Sequence, residues 1–358
     1  MRWPRILADR IGIEYPVFQA PMAGGPSTPE LTAAVSNAGG LGSMGAGYVS
    51  AEALRDAIRA TRALTSRPFC MNLFAPEAEA PAPTPDEVAR AQAALAPFRA
   101  EVGLPPAAAP SAGQPFREQL RVVLEERVPV FSTTFGALAP EDVAALARGG
   151  AVVMGTATSV REARALEASG VHAVVAQSGE AGGHRGTFLG AVEGGLAGTL
   201  SLVPQIVDAV RIPVVAAGGV MDGRGIAAAL ALGASAVALG TAFLACPESG
   251  ASRPYKEAIL ARRDADETTL TRAFSGRWAR GLRNRFTEAL ASAPALPYPL
   301  QNSMTADLRR EAAKAGKADL LSLWAGQGVA LARARPAGDL VRELVRETEE
   351  AVARLAGA

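Results

Sequence analysis

The stretch AQSGEAGGHRG, residues 176–186, packs four glycines and one of the chain's two histidines, His184, into eleven positions. Glycine serves where backbone takes positive φ or approaches a ligand closely, and the apolar run AVVAQ comes directly before it, so a strand ending in a binding loop is expected. An imidazole held there titrates near neutrality and suits proton transfer. Two further glycine turns, Ala217-Gly218-Gly219 and Gly240-Thr241, follow apolar runs late in the chain and could point backbone N–H groups at a phosphate. The dipole of the helix IAAALALGA would add attraction. Asn72 and Gln177 are amides inside otherwise apolar runs, and buried amides need partners; their donors and acceptors match the edge of a polar heterocycle.

The remaining reactive side chains read more plainly. His172, just before a strand, reads as structural, and Cys70, within one, as a small buried apolar residue. Glu180 and Arg185 flank the glycines and are expected to form an ion pair, with each other or with a covering segment. No zinc-spaced Cys/His set, Walker loop or Gly-x-Ser-x-Gly elbow is present, so no metal is expected. The nearest dinucleotide fingerprint, GAGYVS at 45–50, lacks the third glycine and a suitably placed acidic residue.

Eight apolar runs position these residues: 15–22, 40–47, 68–74, 128–135, 151–157, 173–179, 213–219 and 236–244. Near-continuous apolar strands alternating with helical patterns are the mark of parallel strands buried on both faces, and eight of them predict a closed (β/α)8 TIM barrel. Helix signals recur between them: Ser27 or Thr28 as a cap before Pro29, a stop at Asn37-Ala38-Gly39-Gly40, and the segments SAEALRDAIRATRAL, EDVAALARGG, SVREARALEASG and DGRGIAAALALGA. Residues 76–119 read as an insertion between strands three and four, with a helix over PDEVARAQAALAPFRAE. Residues 247–311 read as a lid after strand eight, and 312–358 as a C-terminal part packing back on a barrel of residues 1–246, ending in an amphipathic helix. Without the insertion and the lid, the chain comes close to the roughly 250 residues typical of this barrel.

Composition narrows the partners. Of 358 residues 49% are apolar, enough for a large core, and 36 basic side chains against 35 acidic ones leave no footprint for nucleic acid or an anionic membrane. No stretch approaches a spanning helix or a signal peptide, so a cytoplasmic protein with a small-molecule partner is expected, as monomer or homodimer.

At this point the motifs FQAPMAGGPSTPELTAAVSNAGGLGSMGAG, AQSGEAGGHRG, PVVAAGGVMDGRGIAAALALGASAVALGTAFL, FSGRWARGLRNRF and LWAGQG together resemble those of the nitronate monooxygenase family, formerly called 2-nitropropane dioxygenases. The resemblance implies an FMN-binding TIM barrel that oxidises alkyl nitronates, and in some cases nitroalkanes, with dioxygen, releasing nitrite and a carbonyl compound. It implies flavin contacts at Ala20, Met22, Ala23, Gly24, Asn72, Gln177, Gly182, Gly183, Gly218, Gly219, Gly240 and Thr241, with His184 as the active-site histidine. Gln327 in LWAGQG would reach the flavin phosphate, and Tyr298 in PYPLQN would complete the substrate pocket from the lid. Ser178 stands where the family commonly has glycine. The rivals on the same barrel are a flavin-dependent enoyl-thioester reductase, which shares the Glu-Ala-Gly-Gly-His pattern, and a NAD(P)H:quinone reductase. A noncatalytic flavin or phosphate carrier would not need the histidine.

Overall fold

The computed structural model describes residues 1–76 and 82–357. Eight strands lie where the apolar runs place them: β1 (Val17–Gln19), β2 (Gly42–Gly45), β3 (Phe69–Phe74), β4 (Val130–Thr134), β5 (Val152–Ala157), β6 (Ala173–Gln177), β8 (Val214–Ala217) and β9 (Ala236–Leu239). All pair in parallel, in the order β1-β9-β8-β6-β5-β4-β3-β2. The ring closes where the Gln19 N–H donates to the Leu41 carbonyl (2.9 Å) and the Leu41 N–H to that of Val17 (3.0 Å). Gln19, fully buried, reinforces this seam by accepting from the Ser43 N–H at 2.9 Å.

Local signals set the helices between the strands. Thr28 is the cap of the first of them, accepting from the Leu31 N–H, with Pro29 in the opening turn. Ser27 turns inward instead and accepts from the Met22 N–H at 2.9 Å. Ser50, Ser159 and Asp222 cap Ala51–Leu64, Val160–Ala168 and Gly223–Ala231 in the same way. Strand-helix approach is tight: a Cβ at Gly42 would lie 1.9 Å from the Thr32 carbonyl oxygen. The C-terminal helix Ala337–Leu355 packs its apolar face on Gly223–Ala231.

The segment after β9 contains a small sheet that its sequence did not suggest. β10 (Thr268–Thr271) and β11 (Ala279–Leu282) form an antiparallel pair, and β7 (Gly183–His184) joins β11 as a third strand. A second apolar cluster lies beside the barrel core. Leu95 and Phe98 of the helix Pro85–Glu101 pack there with Phe274, Leu282, Phe286, Met304 and Leu308. Phe274 and Phe286 stack with ring centroids 4.4 Å apart. Buried Arg99 clamps Asp307 through two 2.7 Å bonds, so the Pro85–Glu101 helix and the segment after β9 share one core. The helix Phe116–Glu125 packs instead with the barrel core.

Candidate active site

The strands' C-terminal ends surround a cavity with about 200 Å³ of room for water. Its floor is the barrel interior, where Phe18, Ser43, Cys70, Ser132, Met154 and Val175 meet. Burial pushes the Cys70 thiol up to about 12, and its Sγ lies 3.4 Å from Ser132 Oγ, so it is a packed group and not a nucleophile. The wall brings together twelve of the expected residues: Ala20, Met22, Ala23, Asn72, Gln177, Gly182, Gly183, His184, Gly218, Gly219, Gly240 and Thr241. Gly24 stands behind the wall near Tyr48, at φ +87. Gln327 likewise does not line the cavity; its N–H donates to the Glu180 carbonyl (3.0 Å), while its neighbours Gly326 and Gly328 do face the space. Tyr298 lines an adjoining groove, with its ring 6.0 Å from that of His184.

The glycine loop after β6 is organised by Arg185, 1% exposed. Its guanidinium donates to the carbonyls of Ser178 (2.6 Å), Gln177 (2.9 Å) and Gly195 (2.8 Å). In place of the mutual ion pair with Glu180, the planar fork of Arg185 donors satisfies carbonyls that turn inward at the end of β6 and in the loops around it. Glu180 instead accepts from Thr199 Oγ1 at 2.6 Å. Gln177 braces the same loop, its Nε2 donating to the His184 carbonyl (3.0 Å) and its Oε1 accepting from the Gly186 N–H (2.8 Å). Asn72 donates to Ser132 Oγ at 2.9 Å. His172 has the structural role expected, its Nδ1 accepting from the Val153 N–H at 2.9 Å.

The anion-binding reading of the late turns is altered in one respect. The N-terminal donors of Gly223–Ala231 are taken by carboxylates: Asp222 accepts from Arg224 (3.0 Å) and Gly225 (3.3 Å), and Glu347 from Gly223 (3.0 Å). That helix terminus is therefore neutralised from within the fold, while Gly218, Gly219 and Gly240 line the cavity. Gly218 and Gly219 have φ of +119 and +72, and Cβ atoms there would meet Ser178 Oγ and Glu180 Oε2. Gly240 differs: a Cβ would have only Ala20 Cβ (3.7 Å) and Met22 Sδ (3.9 Å) nearby.

His184 is carried on β7 and so is fixed to the segment after β9 through β11, opposite Ala279. Its ring has Trp324, Phe135 and Tyr298 at centroid distances of 5.3, 6.0 and 6.0 Å. Nε2 lies 2.8 Å from Ser275 Oγ. Burial first, and then the guanidiniums of Arg277 and Arg309, push the imidazole from its ordinary 6.5 down to about 3, so it is neutral at physiological pH. Arg277 also lies 3.9 Å over the Phe135 ring and donates to the Arg185 and Thr187 carbonyls. Ser275, Trp324, Phe135 and Tyr48 were not singled out from the sequence, although three of them lie in FSGRW, LWAGQG and GAGYVS. Among the described residues no three His, Cys, Asp or Glu side chains gather as a metal would need, and no helix is long and apolar enough to cross a membrane.

Several features fit a flavin. The cavity is wide at the strand ends, its rim glycines bring bare backbone to the surface, and a Cβ at Gly183 would meet nothing within 4 Å. The lining mixes polar groups such as Asn72, Gln177 and Thr241 with the rings of Phe74, Phe135 and Trp324, as an amphipathic heterocycle requires.

Comparisons with known proteins agree. The family model described as nitronate monooxygenase matches residues 5–347. A probable nitronate monooxygenase of Staphylococcus aureus (strain Newman) is 42% identical over 348 residues, covering 96% of this chain and 97% of the relative. Among solved structures, the nitroalkane oxidase from Streptomyces ansochromogenes superposes with a TM-score of 0.92 at 45% identity, covering 97% of this chain and 99% of that one. FabK from Thermotoga maritima gives 0.74 at 32%, over 98% of each chain. With a glycine-walled cavity at the mouth of a (β/α)8 barrel and a neutral histidine above it, the chain belongs to the nitronate monooxygenase family of flavin-dependent oxidoreductases.

Proposed function

We propose that the enzyme binds FMN across the strand ends and oxidises alkyl nitronates, and nitroalkanes through their nitronates, with dioxygen to nitrite and a carbonyl compound. The observation that carries this reading is His184: a neutral imidazole among aromatic rings, with two guanidiniums close enough to depress its pKa. Such a ring keeps its proton-accepting form at neutral pH, and the same guanidiniums favour a nitronate anion bound beside it. FMN, when bound, supplies the electron-accepting ring that no side chain here offers. Gly240, Gly218 and Gly219 would hold its phosphate, and Gly182 and Gly183 would lie against the ring. Ala20, Met22, Ala23, Asn72, Gln177 and Thr241 would line its edges, with Gln327 fixing the tail turn beside it. Tyr298, with Phe74 and Phe135, keeps water from the reacting face. A preference for FMN over FAD rests on the glycine turns and the lack of an adenine-binding fingerprint.

The test is anaerobic addition of a small alkyl nitronate to the purified holoenzyme. Bleaching of the flavin absorbance, reversed by oxygen with release of nitrite, is the expected result. Bleaching by NADPH alone, with an enoyl thioester or a quinone reoxidising the flavin, would move the protein to one of the reductase readings. Cofactor released by heat should chromatograph as FMN.

A further inference from the structure

Ser275 lies in the turn after Phe274, is fully buried, and is the hydrogen-bond partner of His184 Nε2 at 2.8 Å. A serine hydroxyl has one proton and two lone pairs. The Arg277 N–H donates to Ser275 Oγ (3.3 Å), and the Ser275 hydroxyl donates to the Arg277 carbonyl (3.1 Å). With the proton directed there and one lone pair occupied, what Oγ has left for His184 is an acceptor. We propose that Ser275 is a positioning residue that holds His184 in its Nε2–H tautomer, so that Nδ1 carries the lone pair available to the cavity. The opposite tautomer would pull the hydroxyl proton away from the Arg277 carbonyl and leave an N–H, not a base, at Nδ1.

The consequence for chemistry rests on the function proposed above. When a neutral nitroalkane is bound, Nδ1 takes the α-proton and the C–H electron pair becomes the C=N bond of the nitronate. Neutral base and neutral acid become imidazolium and anion, and Nε2–H stays on Ser275 throughout. A preformed nitronate bypasses this step.

The chain has only two histidines, so long-range proton–nitrogen NMR of protein labelled with ¹⁵N-histidine reads both. His172 is the internal reference, because acceptance from the Val153 N–H at its Nδ1 makes it an Nε2–H ring. The wild-type His184 signals should match the Nε2–H pattern. Ser275→Ala should shift them toward Nδ1–H, and Ser275→Thr should restore them. An Nδ1–H pattern in the wild type, or an unchanged tautomer in Ser275→Ala, would overturn the inference; the wild-type spectrum decides even if a variant fails to fold. In turnover, Ser275→Ala should lose about 10- to 100-fold in kcat/KM on a neutral nitroalkane, a part of what removal of a base costs, and little on the preformed nitronate. Equal losses on both substrates would also overturn it. The expected tautomer in an enzyme inactive on both substrates supports the Ser275 assignment and refutes the nitronate reading instead.

Discussion

Replacing Gly240 with aspartate tests the phosphate site with little disturbance of the fold. Gly240 has an ordinary backbone (φ −99°, ψ −65°), and its added Cβ would meet only Ala20 Cβ at 3.7 Å and Met22 Sδ at 3.9 Å, both normal contacts. Gly240→Ala should therefore fold and retain flavin as the wild type does. Gly240→Asp adds a carboxylate to the cavity wall where the phosphate is proposed to sit. At a separation of about 5 Å and an effective dielectric of about 20, each pair of like charges costs about 3 kcal/mol. That alone corresponds to more than a 100-fold weaker affinity, since about 1.4 kcal/mol is a factor of ten. The assay is titration of apoprotein with FMN, followed by flavin fluorescence, for wild type, Ala and Asp in parallel, with thermal unfolding of each apoprotein as the control for folding. A raised salt concentration should recover part of the loss in the Asp variant. Equal affinities for Ala and Asp would refute the placement of the phosphate, whether both bind well or both bind poorly.

Other consequences can be checked independently. Arg185→Lys should lower stability by about 2–4 kcal/mol in denaturant unfolding, because a single ammonium cannot satisfy three buried carbonyls that a planar fork holds; an unchanged midpoint would deny that the guanidinium organises the loop. His184→Asn should retain flavin and lose about 10²–10⁴-fold on neutral nitroalkanes but far less on preformed nitronates, since asparagine still donates a hydrogen bond. Because burial and the nearby guanidiniums hold the His184 pKa at about 3, the imidazole stays unprotonated as pH falls from 8 to about 4, and the kcat/KM profile on a nitroalkane should show no acid limb near 6.5. The unfolded chain takes up that proton near 6.5 while the native ring does not, so this residue's contribution to stability falls as pH drops through that window.

The barrel and its rim were legible in the sequence because both are local. Each strand is a short apolar run, helices begin at caps such as Thr28, Ser50 or Asp222, and the glycines at 218–219 and 240 stand directly after their strands, with Gly182–Gly183 a few residues beyond β6. Parallel strands buried on both faces leave one mode of closure at this count, so local pattern and global fold agree. The environment of His184 is not local. Phe135, Ser275, Tyr298 and Trp324 reach it from four separate segments, and of these only Tyr298 was singled out in the sequence as a pocket residue. The pairing of β7 with β11 depends on a segment after β9 whose core is shared with the Pro85–Glu101 helix, a contact spanning some 200 positions through Arg99 and Asp307. The mutual ion pair of Arg185 with Glu180, one of the two pairings the sequence offered, does not form for the same reason: only the folded loop reveals which carbonyls turn inward to meet the guanidinium. A sequence states which groups are available, whereas burial and neighbouring charge, which are properties of the packed structure, determine that this histidine is neutral and which of its nitrogens is free to react.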